Sequence, residues 1–354
     1  MNTNKYSIPK VSVVIPVHNS SEYLYQALDS VVNQTLKEIE IIIVNDGNAD
    51  ESLDIINEYA SKDCRIVVIN RPNRGTGRAI NHGISIAKGE YLAGLEPSDF
   101  IKPEMYEVLY EKAKTHDVDI IISNYHEFTG AGESFTANAK RFFDTQKWYD
   151  KELFPYDFYH NKLSGDYLKG FSWCVVWTSL YKREFLIENN IRWNENVRAY
   201  NDNGFWFQTR ILAKKIMYAD NAYYFSRCDN SENVINHFDK FKTDFFKEQI
   251  FIKKFLINKG IWNHLKDFYF KRIFSDYIYF ALPKLTYNKI EPFFLKISAL
   301  LLKHFEQSPH ISQNTFNKYE WAMLYKIMNN PLECIQEYRV LFKYEKMLKV
   351  LRYN

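Results

Sequence analysis

The chain has 354 residues, enough for one large domain or two of ordinary size. Hydrophobic residues make up 46% of it and the net charge is only +3, so a sizeable core can form and the composition gives no general argument for nucleic-acid binding. The four cysteines are scattered without a CxxC spacing, at Cys64, Cys174, Cys228 and Cys334. This pattern argues against a disulfide framework or a zinc site and fits a reducing compartment.

The first hundred residues alternate between strand and helix patterns. Apolar, β-branched runs predict four buried strands, at residues 11–17, 39–44, 66–69 and 91–95. The segments between them have helical periodicity, and Ser20 or Ser21 is the predicted N-cap of the first helix. Such alternation predicts an α/β fold with a parallel, doubly wound sheet and crossover helices.

The pattern is weaker downstream. Residues 105–115 predict a helix and residues 118–123 a strand, and residues 130–164 are polar and aromatic with little periodicity, which predicts a long loop or lid. Residues 218–224 predict another strand, and the sequence from Phe238 onward is mostly helical in pattern. A domain boundary near residue 240 follows from this change.

The charge is uneven along the chain and shifts at the same boundary. Residues 241–354 carry 19 Lys and Arg against 10 Asp and Glu, whereas residues 1–240 carry 27 against 33. A basic, aromatic C-terminal third fits an anionic partner such as a membrane surface or a lipid-linked phosphate, and a solvated basic helical face is the alternative. The N-terminal apolar run is short and broken by Pro16, so we expect neither a signal peptide nor an anchor.

The segment GEYLAGLEPSDFI at 89–101 predicts a strand that runs into an acidic tip. Pro97 cannot donate to a sheet ladder, so the strand is expected to end at Glu96, which leaves Ser98 and Asp99 just beyond its carboxyl end. Ligands bind at that edge of open α/β sheets, and such oxygen donors suit Mg²⁺ or Mn²⁺ with phosphate as a co-ligand. A polar turn that caps the next helix is the alternative.

Two more segments follow strand ends. Asp46 can accept hydrogen bonds from a nucleobase or ribose, or it can form an Asx turn with Gly47. The loop NRGTGR at 73–78 offers two guanidinium groups, a flexible backbone and a helix N-terminus, which suits a diphosphate. It lacks the third glycine of GxGxxG and follows the third strand, which argues against a nicotinamide-type site, and the chain has no P-loop, GxSxG or HExxH motif.

Taken in order, VSVVIPVHN (11–19), IIIVNDG (41–47), NRGTGRAINHGI (73–84) and GEYLAGLEPSDFI (89–101) resemble the successive motifs of inverting family 2 glycosyltransferases with the GT-A fold. A weaker similarity continues through WTSLYKREFLIENNIRW (177–193) and AYNDNGFWFQ (199–208). The resemblance implies a GT-A domain at residues 1–240, made of a nucleotide-binding half (1–101) and an acceptor half (102–240). A mainly helical region at 241–354 follows.

The resemblance also implies a nucleotide-sugar donor, usually a UDP-sugar, with Mg²⁺ or Mn²⁺ bridging its diphosphate. The usual Ala-Arg-Asn of the family is Ala79-Ile80-Asn81 here, so we expect Arg78 to replace the missing arginine. The implied donor-binding residues are Pro16, His18, Asn19, Asp46, Asn73, Arg74, Arg78, Glu96 and Ser98. The metal motif, usually Asp-x-Asp-Asp, is Glu96-Pro97-Ser98-Asp99 here, and Asp99 with Glu96 is the implied metal pair.

Asp202 matches the family's catalytic base, which precedes a helix, and a plain helix N-cap is the alternative. Inversion needs one such base, because the acceptor hydroxyl loses its proton as it attacks the anomeric carbon. Trp173, Trp177 and Trp206 are candidates for an aromatic platform under the acceptor sugar, or for core packing.

The sequence therefore predicts an inverting, hexosyltransferase-type enzyme that moves a sugar to a glycan or lipid-linked acceptor in the synthesis of a surface polysaccharide. We expect it in the cytoplasm, at the inner face of the membrane through its basic C-terminal region, and as a homo-oligomer without a nucleic-acid partner. Two rivals are a transferase with another activated donor and a non-catalytic nucleotide-sugar or glycan-binding subunit. Retention of Asp46, Asp99 and Asp202 argues against the second.

Overall fold

The computed structural model describes residues 8–130, 136–140, 152–153, 176–230, 238–282, 285, 287–306 and 318–340. The chain divides into two compact units. The first is Met1–Glu232 with Asp244–Ile252, and the second is Asn233–Thr243 with Lys253–Asn354. The predicted boundary at residue 240 lies inside a helix that contributes residues to both units.

The first unit opens with the alternation that the sequence predicts. Its first seven elements are β1 (Val11–Val17), α1 (Ser21–Val32), β2 (Ile39–Asp46), α2 (Ser52–Lys62), β3 (Ile66–Arg71), α3 (Thr76–Ile86) and β4 (Tyr91–Gly94). β1 pairs in parallel with β2 and β4, and β2 pairs in parallel with β3. The predicted parallel sheet with crossover helices is confirmed.

The later elements widen this sheet and mix its directions. They are β5 (Phe100–Ile101), α4 (Met105–His116), β6 (Ile120–Thr129), β7 (Thr136–Lys140), β8 (Glu152–Leu153), β9 (Ser179–Lys182), α5 (Arg183–Glu188), α6 (Asp202–Leu212) and β10 (Ile216–Arg227). The strand order is β3-β2-β1-β4-β9-β6-β10-β5, with β7 paired on β6 and β8 on β10. β9 is antiparallel to both of its neighbours, whereas β6 and β10 are parallel.

The prediction of a loop over residues 130–164 is wrong for β7 and β8, the elements that the structure describes within that range. β7 pairs antiparallel with β6, and β8 pairs antiparallel with β10. Strands as short as these depend on the partner strand that they meet, so their own sequences carry little periodic signal.

The parallel strands carry the core. Every residue of β1 and β2 is buried, which explains why both appear in the sequence as continuous apolar runs. α3 packs on both strands, and its Gly83 leaves the room for this, because a Cβ there would lie 2.5 Å from Cγ1 of Val14. The close approach fixes α3, and with it the loop that precedes α3, over the carboxyl ends of the strands.

The predicted N-cap position of α1 is confirmed at Ser20, but the side chain does not cap the helix. Ser20 is the N-cap residue, but its hydroxyl donates to the carbonyl of His18 (3.1 Å) and makes no capping hydrogen bond. Instead, the backbone N–H of Ser20 donates to Ser52 Oγ, and that of Ser21 donates to Asp50 Oδ2. Each donor–acceptor distance is 2.9 Å. The turn after β2 therefore holds the start of α1 at the sheet edge.

The second unit is helical, as the sequence predicts. Its helices are α7 (Phe238–Asn258, shared with the first unit), α8 (Trp262–Ser275), α9 (Tyr287–Glu306) and α10 (Lys318–Asn329), with a π-helical turn at Asp276–Ala281 and helical residues 331–340. Among the helices described, none combines the length and apolar character that a membrane crossing needs.

Candidate active site

The predicted donor-binding residues gather at one edge of the sheet. β1, β2 and β4 run in parallel, so their carboxyl ends lie at the same side of the sheet. Asp46 is the last residue of β2, and His18 and Glu96 lie just beyond β1 and β4. Pro16 is buried within β1, whereas His18 is exposed beyond the end of that strand. This edge is where open α/β sheets bind their ligands.

Asp46 anchors the loop that leads into α3. It is only 3% exposed, and its Oδ1 forms an ion pair with Arg71 Nε (3.1 Å) and accepts a hydrogen bond from the Arg74 N–H (3.2 Å). Its Oδ2 accepts from the N–H of Gly75 (3.0 Å), a residue whose φ of +94° favours glycine. Asp46 thus fixes the backbone of the Arg-Gly loop, and its contact with a nucleobase stays a prediction.

Side-chain amides connect the loops after β1, β2 and β3. Asn73 Nδ2 lies 3.0 Å from Nε2 of His18. Asn19, whose φ is +48°, accepts from the N–H of Ala49 (2.8 Å), and its own N–H donates to Asn48 Oδ1 (2.6 Å). The three loops therefore form one connected frame, which suits a site that must hold its shape around a ligand.

The two arginines of the loop differ in their surroundings. Arg74 is exposed, and no carboxylate of the described residues lies within ion-pair distance of its side chain. Arg78 makes a loose ion pair with Glu195, 3.4 Å between Nε and Oε2, in which both side chains are more than a third exposed. Such a pair adds little stability, so both guanidinium groups are available to an anionic ligand at small cost.

The acidic tip holds Asp99 in a satisfied position. Asp99 is 5% exposed, its Oδ2 accepts from the Tyr224 hydroxyl (2.7 Å), and its Oδ1 accepts from the N–H of Arg227 (2.8 Å). The hydroxyl of the buried Ser98 lies 3.4 Å from the same Oδ1. Burial raises the pKa of Asp99 to about 6, and the hydrogen bonds from Arg227 and Tyr224 oppose that rise.

Glu96 is in a different position at the same tip. Burial raises the pKa of its carboxyl to about 8, and the negative charges of Asp99 and Asp202 add to the rise. Its backbone N–H bonds to the Tyr224 hydroxyl (3.3 Å), while the neighbouring indole of Trp177 lowers the pKa slightly. The charges of two other acids therefore disfavour the ionised form of Glu96.

This donor set fits a divalent cation whose coordination is completed by a substrate. A cation would relieve the repulsion among Glu96, Asp99 and Asp202. Within the described part of the chain, no three His, Cys, Asp or Glu residues form a metal cluster by themselves. Proteins usually bind Mg²⁺ through one or two carboxylates, and phosphate oxygens of the substrate and water molecules complete the coordination. Glu96 is the freer carboxylate, because both oxygens of Asp99 already accept hydrogen bonds.

Asp202 begins α6 and is oriented by a tryptophan. Its Oδ1 accepts a hydrogen bond from Trp193 Nε1 (3.1 Å). Burial raises the pKa of Asp202 to about 6, and the Trp193 bond opposes the rise. The N-cap position of α6 belongs to Asn201, and no side chain makes a capping hydrogen bond there. The geometry therefore does not support the alternative in which Asp202 is a plain helix cap.

Trp193, which the sequence did not single out, is held in place by α3. Asn81 Nδ2 donates a hydrogen bond to the Trp193 carbonyl, and Asn81 Oδ1 accepts one from the Trp193 N–H. Each donor–acceptor distance is 3.0 Å. Gly77 lets the segment that contains Trp193 approach α3, because a Cβ there would lie 3.0 Å from the carbonyl oxygen of Asn194. The helix that carries Arg78 thus positions the tryptophan that orients Asp202, and only the weaker family-like stretch at 177–193 hinted at it.

The predicted aromatic platform is buried where the structure describes it. Trp177 is 6% exposed and packs against Gly94, and Trp206 is 5% exposed and packs on Phe207, with 5.5 Å between ring centroids. The burial of these two rings supports core packing over an open sugar platform. Trp173 lies outside the described residues.

Glu248 of α7 is a buried acid that the sequence did not single out either. Its side chain has no exposed surface. Its Oε1 accepts a hydrogen bond from the Gly204 N–H and its Oε2 accepts one from Asn194 Nδ2, each with a donor–acceptor distance of 2.7 Å. Burial raises the pKa of Glu248 to about 8, and the charge of Asp202 adds to the rise. Glu248 therefore joins the first turn of α6 to the segment that contains Trp193.

We expect Glu248→Gln to stabilise the protein more as the pH rises from about 5 to about 8. The folded protein keeps the proton of Glu248 up to about pH 8, whereas the unfolded chain releases it near 4.5, so the stability that this group contributes is lost as the pH rises. The difference between variant and wild type should approach about 1.4 kcal/mol per pH unit. Urea unfolding of both proteins across that range measures it, and a constant difference would contradict the raised pKa.

Known proteins share both the sequence pattern and the fold. The family model described as Glycosyl transferase family 2 matches residues 12–185. The cholesterol galactosyltransferase of Borreliella burgdorferi is 32% identical over 292 residues, 78% of this chain and 76% of that protein. Glycosyltransferase GlyG of Streptococcus pneumoniae is 31% identical over 224 residues, 62% of this chain and 72% of that protein.

Among solved structures, residues 1–349 of S. aureus TarS in complex with UDP-GlcNAc match with a TM-score of 0.62 at 17% identity, over 96% of this chain and 92% of that one. The predicted fold class, GT-A with a C-terminal helical extension, is confirmed by this likeness together with the observed sheet. On the similarity to the B. burgdorferi enzyme and the match of the family model, the chain belongs to glycosyltransferase family 2.

Proposed function

We propose that this protein transfers a sugar from a UDP-sugar to a hydroxyl of a glycan or lipid-linked acceptor, with inversion at the anomeric carbon. One observation carries the proposal: Asp202 is a partly buried carboxylate, oriented by Trp193 and within electrostatic reach of Glu96 at the strand edge. A base so placed can act on a group bound beside the acidic tip. The similarity to S. aureus TarS, which was crystallised in complex with UDP-GlcNAc, supports the choice of donor.

The connected loops after β1, β2 and β3 would bind the donor. His18 and Asn73 offer a ring and an amide for the nucleobase, next to the loop that Asp46 holds. Arg74 and Arg78 would meet the diphosphate at the start of α3, where the helix N-terminus also favours negative charge. Two cationic side chains near the leaving diphosphate would stabilise the charge that grows on it.

Asp202 would take the proton of the acceptor hydroxyl. With a pKa of about 6, it is mostly ionised at neutral pH and still a better base than an exposed aspartate. The Trp193 N–H occupies Oδ1, which leaves Oδ2 for the incoming hydroxyl. A Mg²⁺ or Mn²⁺ ion held by Glu96 and Asp99 would supply Lewis-acid stabilisation of the leaving group.

The setting of the reaction is part of the proposal. Synthesis of a surface polysaccharide at the cytoplasmic face of the membrane fits the basic charge of residues 241–354. The rival function, a non-catalytic binding subunit, rests on Ser98, which replaces an acidic residue of the metal motif. A purely binding function would leave Asp202 and its partner Trp193 without a role.

A panel of nucleotide sugars, with and without Mn²⁺, tests the proposal. We expect one UDP-sugar to raise the melting temperature, because a ligand at about 100 times its Kd adds about 2.7 kcal/mol to folding stability. The same donor should release UDP slowly to water in the presence of Mn²⁺. If no nucleotide sugar shifts the melting temperature or releases its nucleotide, the proposed function is wrong. Binding without any turnover would favour the non-catalytic subunit.

A further inference from the structure

A cavity of 760 Å³ opens beside α3, and its lining is strongly basic. The β3–α3 loop, one face of α3 and the segment 192–196 form most of its wall. Four arginines line it, together with a single acid, Glu195: Arg71, Arg74, Arg78 and Arg192. The proposed donor groups Asp46, Glu96 and Asp99 are not part of this wall.

The charges of the wall are only partly balanced. Arg71 forms an ion pair with Asp46, with 3.1 Å between Nε and Oδ1. Arg78 forms a looser pair with Glu195, with 3.4 Å between Nε and Oε2. For Arg74 and Arg192, the described residues provide no carboxylate within ion-pair distance. The cavity therefore keeps two arginines whose charge is not neutralised, which is an unusual concentration for a concave surface unless an anion binds there.

Arg192 is held in position by its neighbours. Its Nη1 donates to the carbonyl of Ile191 (2.7 Å), and the buried Gln208 of α6 donates to the Arg192 carbonyl (2.8 Å). The buried Asn81 fixes the other side of the segment by donating to Glu195 Oε1 (2.9 Å). A guanidinium with a fixed backbone loses less conformational entropy when it binds a phosphate in two-point contact.

The position of the cavity relates it to the acceptor. Trp193 lines the cavity, and the same residue donates its indole N–H to Asp202. A ligand bound against Trp193 and Arg192 therefore lies next to the residue that orients the base, whereas the donor is expected at the strand edge. Arg74 and Arg78 are assigned to the donor diphosphate, and Arg71 pairs with Asp46. Arg192 is therefore the arginine of this wall that is left for an acceptor while a donor is bound.

We propose that this cavity binds a phosphate group of the acceptor, with Arg192 as its main contact. The inference rests on the proposed function and deepens it, because it restricts the acceptor to a class that carries phosphate, either within a glycan or in a lipid head group. Arg192 is then the residue that separates acceptor recognition from donor recognition.

The probe for this site is inorganic pyrophosphate, titrated into UDP-saturated protein by calorimetry. We expect pyrophosphate to bind to the wild type and to lose about tenfold or more of its affinity in Arg192→Gln. Arg192→Lys should retain part of the affinity, because lysine keeps the positive charge but cannot make the two-point contact of a guanidinium group. Lys62→Gln removes a cation outside the cavity and should bind as the wild type does. Donor hydrolysis should be unchanged in Lys62→Gln, and the melting temperatures of the two Arg192 variants show whether they fold.

Two outcomes would overturn the inference. Equal pyrophosphate affinity in Arg192→Gln and wild type would remove Arg192 from the site. Complete loss of pyrophosphate binding on addition of UDP would show that the cavity takes only the donor diphosphate. If UDP itself does not bind, the proposed function fails, and the titration without UDP still reports on the cavity.

Sedimentation with vesicles identifies the source of the phosphate. If phosphatidylglycerol vesicles pull down the wild type but not Arg192→Gln, and phosphatidylcholine vesicles pull down neither, the cavity binds a lipid head group. If pyrophosphate binds and neither kind of vesicle does, it binds a phosphate carried by a glycan.

Discussion

Asp202→Asn is expected to lower the rate of sugar transfer by about a thousandfold, because a positioned general base contributes roughly a hundredfold to ten-thousandfold. The asparagine has the same shape, and its amide oxygen can still accept the hydrogen bond from Trp193. UDP affinity should therefore stay within about twofold of the wild type, since the change removes an interaction made in the transition state. Single-turnover transfer and UDP titration measure the two quantities separately.

The stability of the same variant is its internal control. Burial holds the pKa of Asp202 near 6, above its ordinary value of 3.8, so the stability that this group contributes is lost as the pH rises through 6. A neutral asparagine escapes that loss, and Asp202→Asn should melt at or above the wild type at about pH 8. Unchanged turnover in a folded Asp202→Asn protein would remove the base assignment.

Trp193→Phe offers a milder companion variant. The phenyl ring keeps the aromatic contact with Phe205, whose ring centroid lies 3.4 Å from that of Trp193, but it loses the N–H that stabilises the charged form of Asp202. The pKa of Asp202 should then rise, and the acid limb of kcat/KM should move to higher pH by about one unit. An acid limb that stays in place would show that Asp202 does not control it.

Local pattern was sufficient to predict the donor half of this fold. β1 and β2 are buried on both faces, so their sequences are continuous apolar runs, and the helices between them bury one stripe each. Parallel pairing then places Asp46 and Glu96 at the same edge without further information. For that reason the strand-end candidates follow from the order of strands and helices alone.

Contacts between distant residues were beyond that reasoning. Asn81 and Trp193 are 112 positions apart, and Glu248 lies 44 positions from Gly204, so no periodicity connects them. β9 is a four-residue strand that enters the sheet antiparallel between β4 and β6, and its register depends on partners that it meets only in the folded chain. The residues that orient Asp202 are therefore those that the sequence could not predict.

Gly94→Ala is expected to destabilise the protein by about 3 kcal/mol, at the upper end of what overpacking a core usually costs. A Cβ at Gly94 would lie 1.8 Å from Cε3 and 2.1 Å from Cζ3 of Trp177, so the whole indole has to move. Trp177 stacks on Trp193 with 6.1 Å between centroids, and Trp193 stacks on Phe205, so a displaced Trp177 ring disturbs the whole stack. Chemical denaturation measures the cost.

A double-mutant cycle with Trp177→Leu separates this clash from other effects of the new methyl group. The leucine vacates the ring position, so Gly94→Ala in that background should cost at least about 1 kcal/mol less than in the wild type. Additive costs would contradict the packing of Trp177 on Gly94. Because Gly94 is two residues before Glu96 and its neighbour Trp177 supports Trp193, the single variant should also lose transfer activity at temperatures where it is folded. The glycine that ends β4 thus lets one aromatic stack connect the acidic tip to the base.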